Sequence, residues 1–152
     1  MTIVVDTGIL LGAADEADAD HERCAELLRL HRGELTVPAP VIPETAWQIE
    51  RNLGPRSEAD FLRLITTGEL DVADLSVDDY QRCIDLIETY ADLRLGLVDA
   101  SVITVAENLG VTTIATLTPS TSSPDADGAS WCPTWRPRAA SNLIAQPHLR
   151  LW

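Results

Sequence analysis

With 152 residues, 45% of them hydrophobic, the chain is sized for one domain with a real core. No apolar run approaches a membrane span and no charged leader precedes a long apolar segment, so the sequence predicts a cytoplasmic protein with no membrane role. A formal charge of −13, with Arg as the sole basic residue type, argues against loose nucleic-acid binding by phosphate neutralisation. It leaves open an enzyme whose acids hold metal, or a basic protein partner.

Thr2-Ile3-Val4-Val5 has the pattern of a buried strand that stops at Asp6, and Thr7 to Ala14 follows as a short apolar helix. Asp6 therefore stands at the C-terminal end of the first strand, the edge at which open α/β sheets bind ligands; it reads equally as an N-cap. Asp15 to Asp20 is an acidic turn. His21 to His31 is an amphipathic helix, ended by Gly33, whose two His are too far apart for a metal pair and read as solvated or packing residues. Leu35-Thr36-Val37 is a second strand. Pro38, Pro40 and Pro43 lead into a helix carrying Glu44 to Arg51, with Pro43 near its first position and Glu44 in its first turn. A lone Glu there reads as a complement to the helix dipole.

Pro55 to Thr67 is a further helix, with Phe61, Leu62, Leu64 and Ile65 inward. Leu70 to Ala73 alternates like a strand. Ser76 caps a helix from Val77 to about Leu93 that carries Cys83, Ile84, Leu86, Ile87 and Tyr90. Asp99 then opens a helix through Asn108 that is apolar around too much of its girth for a surface helix, with Gly110 as its stop. Taken alone, Asp99 reads as a cap. Val111 to Leu117, β-branched and apolar, resembles a buried parallel strand. The order predicts an α/β fold: a three-layer α/β/α domain around a central parallel sheet of about four strands. Three cysteines (Cys24, Cys83, Cys132) without C-x-x-C spacing indicate neither a disulfide framework nor a zinc site, and Cys24 and Cys83 read as small buried hydrophobes.

Asp6 follows one strand, Glu44 follows a second, and Asp99 opens the helix leading to a fourth. In a parallel sheet these edges face the same way, so the three carboxylates can meet. Carboxylates that repel one another in one pocket call for a cation, and hard oxygen ligands favour Mg²⁺ or Mn²⁺. Such a site suits phosphodiester hydrolysis. Three unrelated caps is the weaker reading.

VVDTGIL, PETAWQI and GLVDASVITVAENLGVTTIATL occur in that order, and together they resemble a PIN domain, more narrowly the VapC-type toxins of bacterial toxin–antitoxin pairs. The likeness covers about residues 1–117. It implies the toxin of a type II toxin–antitoxin pair, a Mg²⁺- or Mn²⁺-dependent endoribonuclease acting on tRNA, rRNA or mRNA. Asp6 and Asp99 would be metal ligands, and Glu44 would bind metal through water or orient the nucleophile. Thr7 would support the first ligand, with Thr116 as a second supporting residue. The resemblance also implies a homodimer and a cognate antitoxin whose C-terminal segment enters the acidic groove. Arg51, seven residues after Glu44 on a similar helix face, and Arg94, five before Asp99, are weaker candidates for binding RNA phosphates; pairing with nearby acids is their commoner role.

Past Leu117 the character changes. Residues 1–117 hold 22 of the 24 acids, whereas 118–152 hold five of the nine Pro and three of the four Trp with no sustained period. The sequence thus predicts a domain core over 1–117 and an irregular tail over 118–152. The family's usual fourth acid falls at Thr118; Asp125 and Asp127 lie nearby in a Ser- and Pro-rich stretch. The sharper reading of the tail is an out-of-frame translation beginning near Leu117. Two other functions compete with the nuclease. One is a catalytically impaired PIN fold that binds its antitoxin without cutting RNA, favoured by Thr118. The other is a metal-dependent phosphotransferase, weakened by the lack of a glycine-rich phosphate loop.

Overall fold

The computed structural model describes residues 1–117 together with 149–151. β1 (Ile3–Val5) is buried along its whole length, as a β-branched run in a central parallel strand must be. Asp6 breaks it in an extended conformation and caps α1 (Thr7–Ala14). α2 (His21–Leu30), β2 (Leu35–Pro38), α3 (Val41–Leu53), α4 (Pro55–Thr66) and β3 (Asp71–Ala73) follow. α5 (Val77–Thr89) carries a reciprocal Ser76–Asp79 capping box, and a short 3-10 turn (Ala91–Leu93) leads towards α6 (Leu97–Leu109) and β4 (Ile114–Leu117). Gly110 ends α6 in the left-handed region, φ 62°, where a Cβ would be strained.

The sheet order is β3-β2-β1-β4-β5, with β1 to β4 parallel. From β1 the chain steps outward through β2 to β3, then crosses back to the far side of β1 as β4. Right-handed crossovers running in opposite directions put α1–α4 and α5–α6 on opposite faces, the three-layer arrangement expected. The direction reverses between β1 and β4. Open sheets bind ligands in the crevice beyond the C-terminal edge at such a point.

Ile3, Val4, Val5, Leu35, Val37, Ile114 and Ala115 form the sheet's share of the core, closed by Ile9 and Leu10 of α1, Ile49 of α3 and Val102 and Val105 of α6. A second cluster, Cys83, Leu86, Leu95 and Ala100, joins α5 to α6. α1 sits close to α2 because residue 12 has no side chain: a Cβ on Gly12 would stand 2.9 Å from Cys24 Sγ. Cys24 and Cys83 are both buried, and neither forms a disulfide among the described residues. The two His serve local packing, His21 Nδ1 meeting Gly12 O at 3.1 Å and His31 Nδ1 meeting Glu34 Oε2 at 3.0 Å.

Several boundaries differ from the sequence expectation. α3 starts at Val41, so Pro43 is its third residue rather than its first; the first turn has no intrahelical N–H to lose, which lets Pro sit there. The helix expected through Leu93 ends at Thr89 and tightens into the 3-10 turn. Leu62, expected inward, is 39% exposed, because the stripe α4 buries is narrower than its apolar content. Residues 149–151, within the tail expected to be irregular, form β5, antiparallel to β4 with Thr116 opposite Arg150. Three residues are too few for a strand period to register in sequence. Thr118, Asp125, Asp127 and the remainder of the tail lie outside the described residues, and with them the out-of-frame reading.

Candidate active site

The site is built at the C-terminal ends of β1 and β4. Asp6 leaves β1 and turns its carboxylate over the start of α1, where Oδ1 accepts the Thr7 backbone N–H at 2.7 Å. Oδ2 accepts the Thr116 hydroxyl of β4 at 2.9 Å, 110 residues away in sequence. Both oxygens of Asp6 are thus held by donors from neighbouring strand ends. It is a cap, and also more than one.

Thr7, 8% exposed, reaches the other way: its Oγ1 donates to Glu44 Oε2 at 2.7 Å. One residue therefore ties the acid of β1 to the acid at the start of α3. Glu44 falls in the first turn of that helix, and its partner Thr7 stands just past the C-terminal end of β1. Asp99 arrives from the opposite layer. It is the third residue of α6, not its cap, and its Oδ2 accepts the backbone N–H of Gly96 at 3.3 Å. Gly96 is the capping residue and offers no side chain in return.

Electrostatics links all three acids. Burial pushes the Asp6 carboxyl above the usual range, the bonds from Thr116 and Thr7 pull it back, and the negative charge of Glu44 raises it again. Asp99 is also pushed up by burial first; the Gly96 N–H opposes this, and the charges of Asp6 and Glu44 add to it. Asp99 thus feels the charges of both Asp6 and Glu44, and Asp6 feels that of Glu44.

The expected site residues therefore fall into two sets. Asp6, Thr7, Glu44 and Thr116 are joined by direct hydrogen bonds, and Asp99 is coupled to them through space. Among the described residues, no group of three or more His, Cys, Asp or Glu side chains is close enough to hold an ion unaided. An all-oxygen pair that repels itself still fits Mg²⁺, which keeps several waters and takes one or two carboxylates from the protein, with substrate phosphate completing the shell.

Arg51 and Arg94 stand apart. Neither forms a salt bridge among the described residues, so the acid-pairing role expected for them is not what the structure shows. Arg94 is exposed in the left-handed region, φ 53°, just past the 3-10 turn. Arg51 lies over the Trp47 ring, 5.4 Å from its centroid. Sequence reading missed Trp47 as a surface residue; its signal was the i, i+4 spacing to Arg51. It also missed Thr45, fully buried beside Glu44 with its hydroxyl unpartnered among the described residues.

A cavity of about 350 Å³ lies elsewhere, between α1, α2 and α4, lined by residues such as Leu10, Leu28, Phe61 and Leu64. None of the three acids lines it; its polar lining is Arg29, Arg32, Ser57, Asp60 and Glu69, of which Arg32 and Glu69 pair with each other at 2.8 Å.

The family model described as PIN domain matches residues 3–117. Ribonuclease VapC26 of Mycobacterium tuberculosis is 26% identical over 115 residues, spanning 76% of this chain and 85% of that one. Among solved structures, Mycobacterium tuberculosis VapC20, described as a Sarcin-Ricin loop cleaving toxin, superposes with a TM-score of 0.69 at 18% identity, over 74% of this chain and 87% of that one. At that identity the likeness speaks for the fold.

Proposed function

The chain belongs to the PIN-domain family, and from that premise we propose that it is the toxin of a type II toxin–antitoxin pair, an endoribonuclease that hydrolyses RNA phosphodiesters in tRNA, rRNA or mRNA. The observation that carries this reading is the meeting of three acids from distant segments at one sheet edge: Thr7 ties Asp6 to Glu44 by direct hydrogen bonds, and Asp99 stands near enough to feel the charge of both. A fold places acids together at such an edge, at a cost in repulsion, where a cation offsets the repulsion.

In this reading Asp6 and Asp99 would hold one Mg²⁺ or Mn²⁺, which would supply Lewis-acid activation of a water and charge compensation at the phosphate. The protein's own groups do the rest. Thr7 and Thr116 fix the Asp6 carboxylate by both oxygens, so that it is oriented before any ligand arrives. Glu44, steadied by Thr7 through Oε2, keeps Oε1 for the attacking water and accepts its proton. The acidic groove suits a cognate antitoxin that masks it, and the active form is a cytoplasmic homodimer.

The test is cleavage of a panel of structured RNAs by purified protein with Mn²⁺ or Mg²⁺. Cutting that disappears in Asp6→Ala supports the proposal. No cutting by the unaltered protein with any RNA in either metal sinks it. A second reading, a PIN fold that binds an antitoxin without cutting, is favoured by two observations: Thr118 occupies the fourth-acid position, and no three-acid cluster closes among the described residues. Antitoxin binding without cleavage would establish it.

A further inference from the structure

The face of α3 that carries Glu44 continues into Trp47, which has no assigned role, and Arg51, read from sequence as a weaker candidate for binding RNA phosphate. At 3.6 residues per turn, Trp47 and Arg51 fall about 60° and 20° around the helix from Glu44, roughly 4.5 and 10.5 Å further along its axis. Trp47 is 57% exposed, an unusual position for so large an apolar ring. The Arg51 guanidinium lies 5.4 Å from the centre of that ring, bracing the indole while remaining exposed itself.

The charge on Arg51 is also uncommitted. Of the eight Arg in residues 1–117, five pair with carboxylates in a chain rich in acid, and Arg51 has no such partner among the described residues. An exposed indole next to an unpaired guanidinium, one and two turns from a catalytic carboxylate, matches a nucleotide by chemistry. A base offers a flat π-face to the ring, and its phosphate offers an anion to the Arg.

We propose that Trp47 and Arg51 form a substrate clamp: Trp47 stacks on an unpaired base beside the scissile phosphodiester, and Arg51 takes a neighbouring phosphate. The inference rests on the ribonuclease reading and narrows its substrate to RNA that is single-stranded or looped at the cut. A base locked in a duplex cannot reach the ring. Both residues are positioning residues, and they act on binding more than on the chemical step.

The experiment measures cleavage kinetics in Mg²⁺, and separately the affinity for a fluorescein-labelled single-stranded RNA by anisotropy in Ca²⁺. Trp47→Ala is expected to raise KM and Kd roughly five- to hundredfold, with kcat unchanged. Trp47→Phe, which keeps a stacking face, is expected to restore most of the loss. Arg51→Ala is expected to weaken binding and flatten its salt dependence. Trp47 is largely exposed, so these variants fold. If wild type and Trp47→Ala bind RNA equally, the clamp is overturned, and the nuclease reading stands if the wild type still cuts. If the RNA binds through Trp47 but is not cut, the clamp stands and the nuclease reading fails. Absence of both binding and cleavage in the wild type removes both. A change in oligomeric mass by light scattering, with RNA affinity intact, overturns the clamp by assigning the ring to a protein contact.

Discussion

Thr7 holds Glu44: its hydroxyl donates to Oε2 at 2.7 Å across 37 residues of sequence, while its own backbone N–H binds Asp6 at 2.7 Å. A single small residue at the start of α1 therefore sets the relative position of two acids that repel each other. The two bonds use different atoms of Thr7, so they can be separated by mutation.

Thr7→Val keeps the shape and the backbone bond to Asp6 but removes the donor to Glu44. A hydrogen bond to a charged group contributes about 1.5–3 kcal/mol, so RNA cleavage should fall roughly 10- to 100-fold, with Thr7→Ser close to wild type. Initial rates under single-turnover conditions check this. Equal rates for Thr7→Val and wild type would remove Thr7 from the site.

Asp6→Asn should abolish cleavage yet stabilise the metal-free protein at neutral pH. Burial raises the Asp6 carboxyl above its unfolded value, so its favourable contribution exists while it is protonated and is lost as pH rises through the folded value. Asn remains a good N-cap and carries no charge to bury. In chelator, thermal unfolding should place the variant above wild type at pH 7, with the gap closing as pH falls towards about 4. A gap that widens on acidification would contradict the burial argument.

Divalent cation should raise the melting temperature of the wild type by about 5–10 °C at a concentration near 100 times its Kd. Relief of repulsion between Asp6 and Asp99 is the source, so Asp99→Asn and Asp6→Asn should each lose most of the shift. Scanning fluorimetry in Mg²⁺ and Mn²⁺ measures it. An undiminished shift in both variants would put the ion elsewhere.

Gly12→Ala should destabilise by about 1–3 kcal/mol, because its Cβ would lie 2.9 Å from Cys24 Sγ in a packed interface. Removing the sulfur should relieve it: the penalty of Gly12→Ala, measured by urea unfolding, is expected to shrink in a Cys24→Ala background. Equal penalties in both backgrounds would mean that α1 and α2 do not meet through these atoms.

Much of this was legible in the sequence because it is local. The β-branched runs before Asp6 and after Gly110 mark β1 and β4, since an unbroken apolar run suits a strand buried on both faces. The broad apolar girth of α6 announces its burial, and Gly110 its end. The positions of Asp6, Glu44 and Asp99 at strand-to-helix edges follow from the same patterning, and a parallel sheet turns those edges one way.

The tertiary structure alone decided which groups meet there. Nothing near Thr116 in sequence points to Asp6, 110 residues distant, or assigns the hydroxyl of Thr7 to Glu44 rather than to solvent. It also decided that Trp47 lies open under Arg51 while Thr45, two residues before it, is sealed with its hydroxyl unpaired among the described residues. Periodicity determines the conformation of an element and the stripe it buries. The azimuth at which that stripe locks against its neighbours, and so the partner each polar atom finds, depends on the packing of segments far apart in the chain.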